Sequence, residues 1–223
     1  MSIQDYLEGR ENIIHPKTDS LYRSLCEEIL AGRIAPGERL TEKQICDRFQ
    51  MSRTPVREVL TRLEEAGLCR IIQNRGAFVL EITEQDILDL FEMQAELLVT
   101  SIRWAVERIT EKEMEELTEV FDFLPFYTKT GDFQKLIQIN DAFCRIQFRA
   151  AHNRFAEKQL TAWSLYIRYA FPDEYKSPEA QMALLQEQGD IFTAFLHRDP
   201  EEGVAAMREH IEGSRRRKFG DKG

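Results

Sequence analysis

The sequence predicts a mainly α-helical protein in two parts. Residues 1–81 read as three short helices followed by a small β-hairpin, and residues 82–223 read as an antiparallel all-α bundle of about six helices. Three observations carry this reading. Short amphipathic repeats broken by Gly and Pro run up to Gly67; β-branched, strand-like runs are confined to the stretch from Leu68 to Ile82; and long helical periodicity takes over from Thr83.

With 223 residues, 43% of them hydrophobic, the chain can bury real cores, which excludes a disordered or fibrous protein. No apolar run approaches the roughly 18 to 20 residues of a membrane span, and the opening MSIQDYLEGRENIIHPK lacks the apolar centre of a signal peptide, so a cytoplasmic location is expected. Cys26, Cys46, Cys69 and Cys144 are scattered, with no close CxxC pair, and are expected to be reduced. The net charge of -9 is unevenly placed: residues 1–80 hold 12 Lys+Arg and 12 Asp+Glu, whereas residues 81–223 hold 18 and 27. A neutral first part can still bind nucleic acid if its cations gather on one face, because phosphate responds to local potential.

After a polar N-terminal arm, Leu21, Leu25 and Ile29 recur every four residues and mark a helix stopped by Gly32. A turn at Ile34-Ala35-Pro36-Gly37 leads to a second helix, with Thr41 as N-cap and Gln44 at the capping-box position. The third helix opens at MSRTPVREVL. Val56, Val59, Leu60 and Leu63 lie at i, i+3, i+4 and i+7 and form a buried stripe, and Gly67 is the stop. Pro55 suits the first turn, where its missing N–H would have had no intrahelical partner. Ser52 or Thr54 can cap the exposed amides. Arg53 and Arg57 fall on another face, one turn apart, and Arg is the residue that reaches guanine O6 and N7 in a bidentate way. The runs from Leu68 to Ile72 and from Ala77 to Ile82, around Gln73-Asn74-Arg75-Gly76, read as a hairpin. Helix, helix-turn-helix, hairpin is the layout of a winged helix.

From Thr83 a helix carries Ile87, Leu88, Phe91, Leu98, Ile102 and Val106. Further helices are expected over about 110–123, 132–151, 153–170, 177–197 and 200–217, with turns at Pro125, Gly131, Asn153, Pro172 and Asp199-Pro200. Trp104, Trp163, Phe121, Phe148, Phe192 and Phe195 are expected in the bundle core. His15, His152 and His197 have no partner at useful spacing, and Arg215-Arg216-Arg217-Lys218 is expected to be a solvated basic end of a frayed helix.

The stretch LYRSLCEEILAGRIAPGERLTEKQICDRFQMSRTPVREVLTRLEEAGLCRIIQNRGAFV resembles the winged-helix domain of GntR-type bacterial transcription regulators, most specifically at PG-RLTE, SRTPVRE and GL...NRGAFV. The helical remainder resembles the FadR-type C-terminal effector domain of that family. The resemblance implies that Arg53, Thr54 and Arg57 contact operator DNA from the start of the recognition helix. It implies a basic contact from Lys43 and places Arg75 and Gly76 at the wing tip. With Ser52 these residues make up the candidate DNA-contacting set.

Many such effector domains bind a divalent metal through an Asp-x-x-x-His pair and two later histidines. By register the matching positions here are Asn140, Cys144, Gln188 and His210, and only His210 keeps the family's residue type. Two neutral amides, one thiol and one imidazole fall short of a usual site, so no metal or other cofactor is expected. Gln94 stands where acid-binding members often carry an Arg, which removes the ion pair a carboxylate effector would use. The candidate effector pocket is therefore Gln94, Asn140, Cys144, Gln188 and His210.

The expected function is a sequence-specific transcription regulator that binds near-palindromic double-stranded operator DNA as a homodimer and responds to a small-molecule effector, with no membrane partner. The alternative is a ligand-independent regulator or partner-binding module with a degenerate pocket. An enzyme lacks support, because the sequence holds no recognisable nucleophile, acid–base pair or complete metal set.

Overall fold

The computed structural model describes residues 16–73 and 75–220. The N-terminal arm with His15, the turn residue Asn74 and the last three residues lie outside that description. The chain divides into two compact units: among the described residues, one runs to Asp89 and includes Tyr166–Ala170, and the other comprises Leu90–Leu165 and the chain from Phe171 onward.

The first unit is built from α1 (Pro16–Leu30), β1 (Arg39–Leu40), α2 (Glu42–Phe49), α3 (Arg53–Glu65), β2 (Cys69–Ile72) and β3 (Gly76–Val79). The stripe Val56, Val59, Leu60 and Leu63 is buried, with Leu21, Leu25 and Ile45. Each such side chain contributes roughly 1.5 to 3 kcal/mol of burial free energy. Polar ties hold the helices around this core. Arg48 of α2 makes a two-pronged bond to Glu28 of α1, at 2.8 and 2.5 Å. Arg62 of α3 donates to Asp19 at 2.6 Å and lies over the Tyr22 ring. The predicted capping box of α2 is present: Thr41 Oγ1 accepts from the Gln44 backbone N–H, and Gln44 Oε1 accepts from the Thr41 backbone N–H.

The expected hairpin is present as β2 and β3, and a third strand extends its sheet. The sheet has three antiparallel strands in the order β1-β3-β2, with Leu40 opposite Ala77 and Ile72 opposite Gly76. A two-residue strand is too short to leave a period-two pattern, so β1 has no signal in the sequence. Gly76 is required by this pairing: its φ is +97°, and a Cβ there would lie 3.2 Å from the Leu40 carbonyl oxygen.

The second unit is a bundle of α4 (Glu84–Arg108, whose first turns belong to the first unit), α5 (Glu111–Phe121), α6 (Phe123–Thr130), α7 (Phe133–Ala150), α8 (Arg154–Ala170), α9 (Pro178–His197) and α10 (Pro200–Phe219). Its core gathers Ile102, Val106, Leu117, Leu136, Phe143, Ile146, Leu184 and Phe195, and Phe121 stacks on Phe192 with ring centroids 4.2 Å apart. The short helix α6 occupies the segment read as a turn at Pro125. Pro125 is its third residue, where a missing N–H costs nothing, so the reasoning that applies to Pro55 applies here too.

A second correction concerns the basic end of the chain. α10 runs to Phe219, and its last turns are packed rather than solvated. Arg217 makes a two-pronged pair with Glu187, at 2.6 and 2.8 Å, and Lys218 pairs with Glu174, which also accepts from Ser214 at 2.9 Å. Phe219 meets Phe91 and Phe171 edge to face. Arg215 reaches Glu92 at 3.1 Å, and Arg216 lies 3.5 Å from Glu212.

Replacing Gly76 by Ala forces a Cβ against the Leu40 carbonyl in a left-handed conformation, and is expected to cost about 1 to 2 kcal/mol. The check is the unfolding midpoint in urea against wild type; an unchanged midpoint contradicts the required backbone geometry.

Candidate nucleic-acid interface and effector site

Burial of the α3 stripe leaves the opposite side of that helix outward. Arg53, Thr54 and Arg57 are exposed on its first turns, and Lys43 is exposed on α2. Ser52 is the N-cap residue by backbone conformation, but its side chain makes no capping bond, contrary to the expected cap. The first-turn amides are therefore open to an anion, and the positive end of the helix dipole favours one there. Arg75 is exposed in the wing turn beside Gly76. The wing is held to α3 by the Ile71 amide, which donates to Glu64 at 2.7 Å.

Two residues of this face have no role in the sequence reading. Arg39 of β1 is exposed and lies across Gly76, its Nε 3.3 Å from where a Cβ would stand, so it adds a cation at the wing. Only the pairing of β1 with β3 brings it there. Glu42 accepts from Arg57 Nε at 2.7 Å. The Arg57 hydrogen bond, with the charges of Arg57 and Arg53, holds the Glu42 carboxyl below the usual carboxylate range.

In the second unit, Asn140, Cys144 and Gln188 come together. Gln188 Nε2 donates to Asn140 Oδ1 at 3.0 Å and lies 4.0 Å from Cys144 Sγ. Gln188 is 1% exposed, and its Oε1 is buried with no hydrogen-bond partner. Gln147, one turn beyond Cys144 on α7, likewise buries an unpartnered Nε2. Gln94 instead donates to Ser164 at 2.7 Å, and His210 faces Glu187 at 2.8 Å; no bond among the described residues joins either to the trio. His152 and His197, read as lacking partners, meet Glu113 and Glu202 at 3.0 and 2.8 Å.

This donor set does not fit the family's metal. The Asn140 oxygen is taken by Gln188, and His210 belongs to the Glu187–Arg217 cluster. Burial pushes the Cys144 thiol up to about 12, so the neutral thiol, a poor ligand and nucleophile, prevails near pH 7. Among the described residues no group of three or more His, Cys, Asp or Glu is arranged around a common point for a cation.

An outward arginine edge on a winged helix, joined in one chain to a helical bundle with an interior polar seam, is the arrangement of a DNA-binding regulator with a second, helical domain. The comparisons agree. The family model for bacterial regulatory proteins of the gntR family matches residues 17–79, and the FCD domain model matches residues 89–213. The chain belongs to the GntR family of transcriptional regulators, with an FCD domain, and the family's members are regulators rather than enzymes.

Among its relatives are the HTH-type transcriptional repressor RspR of Escherichia coli K12, 28% identical over 209 residues (92% of this chain, 90% of that one), and the Nta operon transcriptional regulator of Aminobacter aminovorans, 28% identical over 180 residues (79% and 82%). The solved structure of E. coli McbR/YncC shares the fold, with a TM-score of 0.70 at 21% identity, covering 90% of this chain and 95% of that one. No helix among the described residues is long and apolar enough to cross a membrane.

Burial works against ionisation of Glu187, but the bonds from His210 and Arg217 outweigh it and hold its carboxyl below the usual range. A depressed folded-state value means that this stabilisation is full above an unfolded value of about 4.3 and is lost as pH falls through the folded one. Glu187→Gln is expected to cost about 3 kcal/mol near pH 7, with the difference from wild type shrinking below about pH 4. Urea melts at both pH values test this, and a deficit independent of pH contradicts it.

Proposed function

We propose that the chain is an effector-responsive regulator that binds near-palindromic operator DNA as a homodimer in the cytoplasm, reading bases through Arg53 and Arg57. In this reading residues 1–81 bind DNA, and residues 82–223 dimerise and hold the effector. The observation that carries it is the exposed edge of Arg53, Thr54 and Arg57 on the first turns of α3, opposite a fully buried stripe. One recognition helix covers only a few base pairs, and a two-fold pair of them doubles the contact area and the specificity. Lys43, Arg75 and the backbone at Ser52 and Gly76 serve the phosphates or the adjacent groove, where Arg39 joins them.

The effector site is the polar seam of Asn140, Cys144 and Gln188, with Gln147 a turn further along the helix of Asn140 and Cys144. The buried, unmatched Gln188 Oε1 and Gln147 Nε2 support a ligand that both donates and accepts hydrogen bonds. None of the three central groups carries charge, which favours an uncharged polar molecule over a carboxylate or a metal chelate. Such a ligand alters operator binding only as far as it prefers one arrangement of the paired winged helices.

Arg57→Ala is expected to cost roughly 1 to 3 kcal/mol of specific binding and to flatten preference at one base pair per half-site. Lys43→Ala should weaken all sequences alike and reduce the salt slope by about one. Anisotropy titration of duplexes selected from a random-sequence pool checks both, and unchanged operator affinity in Arg57→Ala contradicts the assigned reading edge. For the effector, a thermal-shift screen of neutral polyols and amides against carboxylates and divalent metals is expected to give saturable hits among the neutral compounds. Those hits should be lost in Gln188→Leu and should change operator affinity; hits confined to acids or metals contradict the assignment.

A further inference from the structure

The Arg57–Glu42 pair joins the base-reading helix to the helix before it, and its geometry is one-sided. Arg57 engages Glu42 through Nε, so the bond described uses neither Nη1 nor Nη2. A bidentate contact to guanine O6 and N7 needs two neighbouring N–H donors of the guanidinium fork. With Nε taken, the pair left to point outward is Nη1 and Nη2, at the tip.

Glu42 is itself held in place. It is the first residue of α2, next to Thr41, whose capping box with Gln44 fixes that turn, and a carboxylate there is favoured by the positive end of the helix. A long side chain such as Arg otherwise loses considerable rotamer freedom when it docks, and a tether in the free protein meets part of that loss before DNA arrives. The same carboxylate is an unwelcome charge beside phosphate, so it weakens binding wherever Arg57 has no base to read.

We infer that Glu42 is a specificity-determining positioning residue: it aims the tip of Arg57 at the base edge and penalises non-specific DNA. This inference rests on the assignment of Arg57 to base reading. It gives the acidic residue among the cations of this face a role that a solvated ion pair would not have.

The test uses the full chain and the duplex that the wild-type protein selects from a random-sequence pool. Affinities for that duplex, its single-base variants and a scrambled duplex are measured at one salt concentration for wild type, Glu42→Ala, Glu42→Gln, Arg57→Ala and the Glu42→Ala/Arg57→Ala double variant. Glu42→Ala is expected to bind scrambled DNA several-fold more tightly and to lose roughly tenfold in discrimination at the base pair where Arg57→Ala flattens preference. Glu42→Gln, whose amide oxygen can still accept from Nε, should keep most of that discrimination while sharing the tighter non-specific binding. In the Arg57→Ala background, Glu42→Ala should change base preference no further.

Thermal melts control for folding, and an exposed pair of this kind leaves them nearly unmoved. If Glu42→Ala leaves base preference intact while Arg57→Ala flattens it, or weakens selected and scrambled duplexes alike, the inference about Glu42 is overturned. If Arg57→Ala itself leaves every base preference unchanged, the assignment beneath it falls instead.

Discussion

Burial of Val56, Val59, Leu60 and Leu63 along one side of α3 sets the rotation of that helix, and the rotation decides which side chains point outward. Turning α3 by one residue would swing the stripe by about 100° and expose side chains that now lie in the core. Arg53 and Arg57 are outward because those four are inward. The neighbouring parts depend on the same packing. α2 is tied to α1 through Arg48 and Glu28, α3 to α1 through Arg62 and Asp19, and the wing to α3 through Ile71 and Glu64. The outward arginine edge is thus a by-product of a core, and one ion pair, Arg57 with Glu42, joins it to the helix before it.

The bundle follows a different rule, because its interior is not wholly apolar. Asn140, Cys144 and Gln188 form an uncharged polar seam within it, where Gln188 donates its amide N–H to Asn140 while its oxygen stays unmatched. A buried amide with an open acceptor is costly in an empty, dry site and useful in one that receives a donor. One cluster of charged groups in this unit lies around the last turns of α10. There Glu174 and Glu187 take up Lys218 and Arg217, and Gly213 gives Glu187 room, since a Cβ at that position would collide with its carboxylate.

Much of this was legible in the sequence. The capping box at Thr41 and Gln44, the buried stripe of α3 and the helical content after Thr83 are local patterns, repeated within a turn or two, and they appear as read. Two of the misreadings have local causes, and the third has a distant one. Pro125 reads as a turn although its place in a first turn suits a helix, and Arg39-Leu40 is too brief a strand to show a period. The basic run from Arg215 to Lys218 reads as solvated because Glu187 and Glu174, the partners of Arg217 and Lys218, stand 30 and 44 residues away along the chain.

The sequence by itself determined the two-part architecture, the helix-turn-helix with its wing, and the outward edge of Arg53 and Arg57, because spacing along one element and residue identity are enough for each. Only the tertiary structure decided which of the five pocket candidates meet, that Glu42 holds Arg57 by its Nε, that Arg39 joins the wing, and that the Lys218 side chain is covered where it pairs with Glu174. Each of these is a pairing between elements, and periodicity within a helix says which way a side chain points but not what it meets.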